Sequence, residues 1–414
     1  MIRPKPMMLA LLLSCMPQVA SAQAPQDTSA PGYYLYVTAE SEDVVALTHF
    51  DPVSQKLNVL KQIEVGYQPT EIEGPHGLTV SPDGKFWYLT MAHGMPYGRL
   101  YKYTTASNEL VGMCELGLFP ATMQISEATG LLYCVNFDLH GKMLPSTVSI
   151  VDPDEMVEVA RTTTGPMPHG SRITLDGMRH YSCSMMADKL YEMDAVNFEI
   201  LRTLDLTVKD EPMDHEDHGD MSHEPEGEGM QHGEGVHEHG DKQADDKKKP
   251  AMKMGGMQHG KGHDMSMHKA LAKPTWVFPH PSADFVYVAL NGAKQVIEID
   301  TKAWRTTRRF ATAKGPYNVE ISRDAKRMLI TYKGAQSVGV WDLEAGEELA
   351  QLATSQPITH GVVISPDSRF AFVSNEGIGA TKGTLDVIEL ASNSIVASVE
   401  IGLQAGGIAF WKHQ

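Results

Sequence analysis

The chain lacks most of what would direct it to other fold classes. Only 4 of its 414 residues are cysteine, widely spaced and without a C-x-x-C pair, which leaves no disulfide framework and no zinc ribbon. Basic residues are outnumbered: Lys and Arg total 35 against 52 Asp and Glu, a formal net charge of −17. Phosphate binding needs concentrated Lys and Arg, so nucleic acid is excluded as a partner. An acidic surface instead favours solubility and attracts cations. No stretch approaches the ~20 consecutive apolar residues of a transmembrane segment, and no amphipathic helix of useful length is present.

The N-terminus reads as an export signal. Arg3 and Lys5 precede a short apolar run from Met7 to Met16, and Ala20-Ser21-Ala22 forms a small-residue cleavage site before Gln23. Residues 1–22 are therefore expected to be a signal peptide and 23–32 a linker, with the mature protein periplasmic or secreted. Lipid anchoring through Cys15 is the less favoured alternative, because Leu13 fits that signal poorly. Cleavage leaves Cys114, Cys134 and Cys183, all in strand-like stretches, where buried free thiols are expected.

What the chain has in abundance is a repeat. Aromatic-rich segments return as "LYVTAE", "WYLTMA", "LYCVNF", "HYSCSM", "VYVALN", "MLITYK" and "AFVSNE". Anchored on Tyr36, Tyr88, Tyr133, Tyr181, Tyr287, Leu329 and Phe372, the intervals are 52, 45, 48, 106, 42 and 43 residues. The outlier contains a low-complexity tract, 210–268; without its 59 residues that interval is 47. Each unit enters after a proline, turns at "SPDG" or its relic and returns as the aromatic strand. Two more strands follow, the first ending near aspartate ("VIEID", "VGVWD", "VSIVD"). Alternating β-branched and aromatic residues between Asp-Gly, Pro and Asn turns are the strand-and-hairpin signature.

Four antiparallel strands per unit, seven units and no helices predict an all-β, seven-bladed β-propeller over 33–414. Unit one begins at Tyr33 without an entering strand, whereas "GGIAFWK" (406–412) is a spare one. The C-terminal strand is thus expected to close blade 1 as its innermost strand, leaving no open edge. This cadence, with "SPDG" at 81–84 and "VYVALN" at 286–291, resembles the exported YVTN-repeat (YncE-like) propellers across 33–412 apart from the tract. The resemblance implies the fold and leaves the function open, because propellers host lactonases, dehydrogenase subunits, copper enzymes and pure binding modules.

Three histidines share one register. His76, His169 and His360 lie twelve residues before Tyr88, Tyr181 and Phe372, and each is followed by glycine. The same register holds Thr275, Tyr317 and Ala121 or Thr122 in other units. The entering strand of a propeller lines its central channel, so imidazoles from blades 2, 4 and 7 are expected to converge at the channel mouth. A lone histidine there merely bonds its neighbours; three at one register point to an ion. Neutral imidazole is the commonest protein ligand for zinc and copper, and three histidines with an open position form a catalytic-type metal site. The loop after each aromatic strand opens on the same face, which adds His93, His140, Met185 and Met186 as secondary donors.

The tract 210–268 holds nine histidines, eight methionines and fifteen carboxylates, with Val236 its only other large aliphatic residue. Such a chain cannot bury enough apolar surface to offset its ordering entropy and is expected to be disordered. Its His-rich composition reads as metal binding. The expected ligands are His215, His218, His223, His232, His237, His239, His259, His263 and His268, with Met254, Met257, Met265 and Met267. Thioethers favour Cu(I), while imidazole also takes Cu(II) and Zn. The combination resembles exported zinc-chaperone propellers and, more distantly, the propeller of nitrous oxide reductase, whose appended cupredoxin domain this chain lacks.

The sequence therefore leads to an exported metal-binding propeller, a copper or zinc chaperone or buffer, with a periplasmic metal-accepting protein as partner. No nucleophile–base pair of familiar spacing, phosphate loop or C-x-x-C-H haem site is visible, so catalysis is not the favoured reading. A metal-dependent oxidoreductase or a lactonase-type hydrolase at the channel mouth is one alternative, and a protein-binding scaffold is another.

Overall fold

The computed structural model describes residues 28–68, 70–93, 98–207 and 271–414. The signal peptide with Cys15, most of the linker, and the tract 210–268 with all its His and Met candidates lie outside the described residues. Among the described residues no helix is long and apolar enough to cross a membrane.

Seven four-stranded antiparallel sheets form the body, and the helical segments among the described residues are two 3-10 turns, Glu40–Glu42 and Asn291–Ala293. The innermost strands are Ala405–His413 in blade 1, Pro75–Val80 in blade 2, Pro120–Ile125 in blade 3 and Pro168–Ile173 in blade 4. Pro274–Pro279, Pro316–Ile321 and Ile358–Ile364 serve blades 5, 6 and 7. Each packs on the next, and that of blade 7 packs on that of blade 1, so the ring is closed. The seven-bladed propeller read from the repeat is the fold.

Closure is as the spare strand required. Ala405–His413 pairs antiparallel with Tyr33–Ala39, and Gly32 and Gln414 exchange backbone hydrogen bonds of 2.9 and 3.0 Å. The His413 ring stacks on Tyr33 at 4.2 Å. Blade 1 thus has no free inner edge, although the chain ends there.

The "SPDG" phrase shapes the turn between the first two strands of a blade. Ser81 Oγ donates to Asp83 at 2.6 Å and accepts from the Phe86 amide, while Gly84 takes φ +70°. Blade 7 repeats the device with Ser365, Asp367 and Phe370, and Ser368 accepts the left-handed conformation at φ 58° where blade 2 has glycine. Between blades the sheets pack through aromatic side chains, as Tyr33, Phe50, Phe370 and Phe372 do, tilted or edge-on, across the blade 7–blade 1 junction. Burying each such side chain contributes about 1.5–3 kcal/mol. Cys114, Cys134 and Cys183 are free thiols, the last two buried.

Candidate functional site

The histidine register is built by a backbone irregularity. In blades 2, 3, 4, 6 and 7 the innermost strand slips register just after its proline or equivalent: Pro75/Leu78, Pro120/Met123, Pro168/Ser171, Pro316/Val319 and Thr359/Val362. In blade 5 the slip is at Pro274/Trp276. Such a bulge leaves its residue unpaired and re-aims the side chain. His76, Ala121, His169, Thr275, Tyr317 and His360 all occupy it.

The glycine after each histidine has a steric cause. A Cβ on Gly77 would lie 1.9 Å from the Ala121 carbonyl oxygen, and one on Gly170 2.4 Å from Trp276 Cα. Neighbouring inner strands approach too closely there for any side chain. The amide freed by the bulge is met by a hydroxyl from the second strand, which bonds onward to the next blade. Thr90 Oγ1 accepts from Gly77 N at 2.7 Å; Ser374 Oγ accepts from Gly361 N at 3.0 Å and donates to Gly406 O at 2.5 Å. Thr331 Oγ1 likewise accepts from Asn318 N and donates to His360 O at 2.9 Å. These staples position the ring and were not legible from residue type.

His169 and His360 both approach His76. The ring centroid of His76 lies 6.4 Å from that of His169 and 6.2 Å from that of His360. His76 Nδ1 bonds Glu40 Oε2 at 3.0 Å, so Nε2 is the nitrogen left for a ligand. His169 Nδ1 donates to the Thr275 carbonyl at 3.0 Å, and its Nε2 accepts from the Tyr317 hydroxyl at 2.8 Å. His360 Nδ1 is buried without a hydrogen-bond partner among the described residues, and its Nε2 lies 3.6 Å from Glu376 Oε1. Burial lowers His169 to about 3 and His360 well below the usual imidazole value, so both rings are neutral, the ligand form.

A second ring surrounds the first. The strand pairing makes the residues at the end of each second strand equivalent, and this places Glu40, Lys333 and Glu376 at the mouth. Burial works to raise the Glu40 carboxyl, but His76 and His93 outweigh it and hold it below the usual carboxylate range. Burial likewise opposes the Lys333 ammonium, yet Glu376 at 3.0 Å and the Tyr317 phenol hold it above the ordinary lysine value. Lys333 Nζ also sits 4.6 Å over the Tyr317 ring. The two carboxylates exceed the one ammonium, a balance that suits a cation.

The remaining candidates fall in two groups. His93 is drawn to the same carboxylate, its Nε2 3.0 Å from Glu40 Oε1, and its ring lies 5.9 Å from exposed His140. Met185 and Met186 instead pack in an apolar cluster with Phe119, Phe137 and Met167. The space enclosed by the three histidines and their neighbours is about 50 Å³, room for an ion and a few waters. It is far below the roughly 300–1,000 Å³ of a small-molecule pocket. A larger hollow of about 380 Å³ lies at Glu42, Asp43, Glu64 and Glu71, but Asp43 is occupied there in holding the amides of Glu73 and Gly74.

Among the described residues no three His, Cys, Asp or Glu side chains already stand as a coordination shell. The ring spacing explains this. Three imidazoles on a tetrahedral ion, at about 2.0–2.1 Å per bond, put their centroids roughly 5–5.5 Å apart. The observed 6.2 and 6.4 Å exceed that by about 1 Å.

No protein-family profile and no curated protein matches the chain. Solved structures do. The chain is similar to the periplasmic gluconolactonase PpgL of Pseudomonas aeruginosa at TM-score 0.64 and 14% identity, over 92% of this chain and 99% of that one. It is similar to a functionally unknown protein of Desulfotomaculum acetoxidans at TM-score 0.62 and 12% identity, over 92% and 100%. The hydrazine synthase of Kuenenia stuttgartiensis matches at TM-score 0.58 and 15% identity, over 84% and 92%. At these identities the likeness is one of fold: the chain is a seven-bladed β-propeller.

Proposed function

We propose that this propeller binds one transition-metal ion, copper or zinc, on His76, His169 and His360 at the mouth of its channel, as an exported metal chaperone or buffer. The observation that carries the reading is the approach of His169 and His360, from blades 4 and 7, to His76 of blade 2, with His76 and His169 each held through Nδ1 by an oxygen acceptor. Ligating histidines are oriented in this way by carboxylates and carbonyls behind them. The net negative mouth favours a cation, and the small enclosed volume favours an ion over an organic substrate. The His- and Met-rich tract, inserted between blades 4 and 5, would raise the local metal concentration and feed the channel.

Competition between the full-length protein and chromophoric chelators tests this. One tight equivalent that disappears in His76→Ala/His169→Ala/His360→Ala, with weaker binding by the tract retained, supports the channel site. Identical titrations for the two proteins overturn it.

A hydrolase reading has one observation in its favour: the Glu40–His76 pair at 3.0 Å has the geometry of an oriented general base. Lactones are its natural substrates, given the fold shared with a gluconolactonase. Turnover of an aldonolactone that survives chelation and is lost in His76→Ala would establish it over the metal reading.

A further inference from the structure

We infer that Tyr317 is a gate that determines which ions the three-histidine site accepts; the inference rests on the metal reading above. His169 has two ring nitrogens, and both are engaged. Nδ1 must carry the proton, because its partner at 3.0 Å is the Thr275 carbonyl, which can only accept. Nε2 therefore offers a lone pair, and the Tyr317 hydroxyl at 2.8 Å donates into it. An ion that used His169 would need that same lone pair. Tyr317 and the ion compete for one position.

The phenol is also a wedge. Its ring lies 5.2 Å from His169 and 4.9 Å from His360, between the two imidazoles, with Lys333 packed over it at 4.6 Å. Among the described residues no hydroxyl donates into a ring nitrogen of His76 or His360; His360 Nε2 faces the Glu376 carboxylate at 3.6 Å. The His76 carboxylate partner occupies Nδ1 alone, and His360 Nδ1 is buried without a partner among the described residues.

The spacing then separates classes of ion. Two imidazoles on opposite sides of one ion, with bonds of about 2.0 Å, set their centroids roughly 6 Å apart, and His76 and His360 stand at 6.2 Å. That separation matches the span of a two-coordinate ion such as Cu(I) held by these two rings, with Tyr317 in place. A tetrahedral divalent ion such as Zn(II) needs the third imidazole, the displacement of the Tyr317 hydroxyl, and contraction of the ring. The gate thus disfavours Zn(II) relative to Cu(I) by the worth of the phenol–imidazole bond.

The experiment compares Zn(II) and Cu(I) affinities of full-length wild type and Tyr317→Phe by chelator competition, Cu(I) under anaerobic reducing conditions. The full-length triple histidine variant serves as the blank for binding by the tract. Losing one neutral hydrogen bond to Nε2 tightens Zn(II) roughly three- to tenfold in Tyr317→Phe and leaves Cu(I) within about twofold. His169→Ala supplies the converse: channel Zn(II) binding is lost and Cu(I) binding stays. Weaker or unchanged Zn(II) binding in Tyr317→Phe, or equal shifts for both ions, overturns the gate while the metal site stands. If neither ion binds wild type more tightly than the blank, the three-histidine reading falls and the gate with it.

Discussion

Blade 4 carries two buried histidines in different surroundings. His169 sits on the innermost strand at the bulge; His180 sits on the second strand, Arg179–Ser184, stacked against Tyr133 at 5.3 Å. Burial lowers both to about 3. His180 Nε2 has no hydrogen-bond partner among the described residues, whereas both His169 nitrogens are engaged. A perturbed imidazole is therefore no guide to function by itself. What sets His169 apart is its register, which brings it to the axis with two other rings, and the acceptor that fixes its tautomer.

The comparison breaks most visibly on removing the axial rings. His76→Ala/His169→Ala/His360→Ala should abolish the tight channel equivalent, a loss larger than the ~10–100-fold that changes behind a ligand cost. His180→Ala should leave ion affinity unchanged in the same titration while costing about 1–3 kcal/mol of stability by denaturant unfolding. Next in size is Glu40→Gln, which takes the carboxylate from behind His76 and should weaken binding about 10- to 100-fold. That substitution also tests the charge state of Glu40. A carboxyl held below its unfolded value of 4.5 stabilises the fold above that pH, and the contribution is lost as pH falls further. Glu40→Gln should flatten the stability profile below pH 4.5.

His169 and His180 agree in one respect, their effect on stability with pH. Both bind a proton near pH 6.5 when unfolded and only near 3 when folded. Between those values the unfolded chain holds more protons, so stability rises with pH by up to about 1.4 kcal/mol per unit for each group. His180→Phe and His169→Gln should each reduce that slope by one proton's worth in metal-free protein, read from denaturation midpoints between pH 4 and 6. The smallest effect is expected at Met185. Because its thioether packs in the apolar cluster, Met185→Leu should cost under about 1.5 kcal/mol and leave ion affinity alone.

The fold was legible because it repeats. The proline at the head of most inner strands, the Ser-Asp-Gly turn and the aromatic strand recur often enough to count blades and to identify the spare strand at 406–412. The histidines were legible for the same reason: His76, His169 and His360 sit at one step of that repeat, next to a glycine that close backbone approach demands. Glu40, Lys333 and Glu376 were not. They too share a structural position, at the end of the second strand, but acid and base alternate there with Ala92, Phe137, Met185 and Asn291, so no residue type repeats. Tyr317 was placed correctly by the repeat, yet its role depends on a side chain long enough to span to blade 4, and periodicity does not carry that. Met185 and Met186 lie on the expected loop, but the sequence did not reveal that Phe119 and Phe137 enclose them.

The central claim concerns where an ion sits. Crystals of the full-length protein loaded with Zn(II) or copper, with data collected on both sides of the metal absorption edge, would locate it directly. An anomalous peak on the propeller axis between His76, His169 and His360 is the expected result. Stoichiometric metal with no peak among those three rings would contradict the claim.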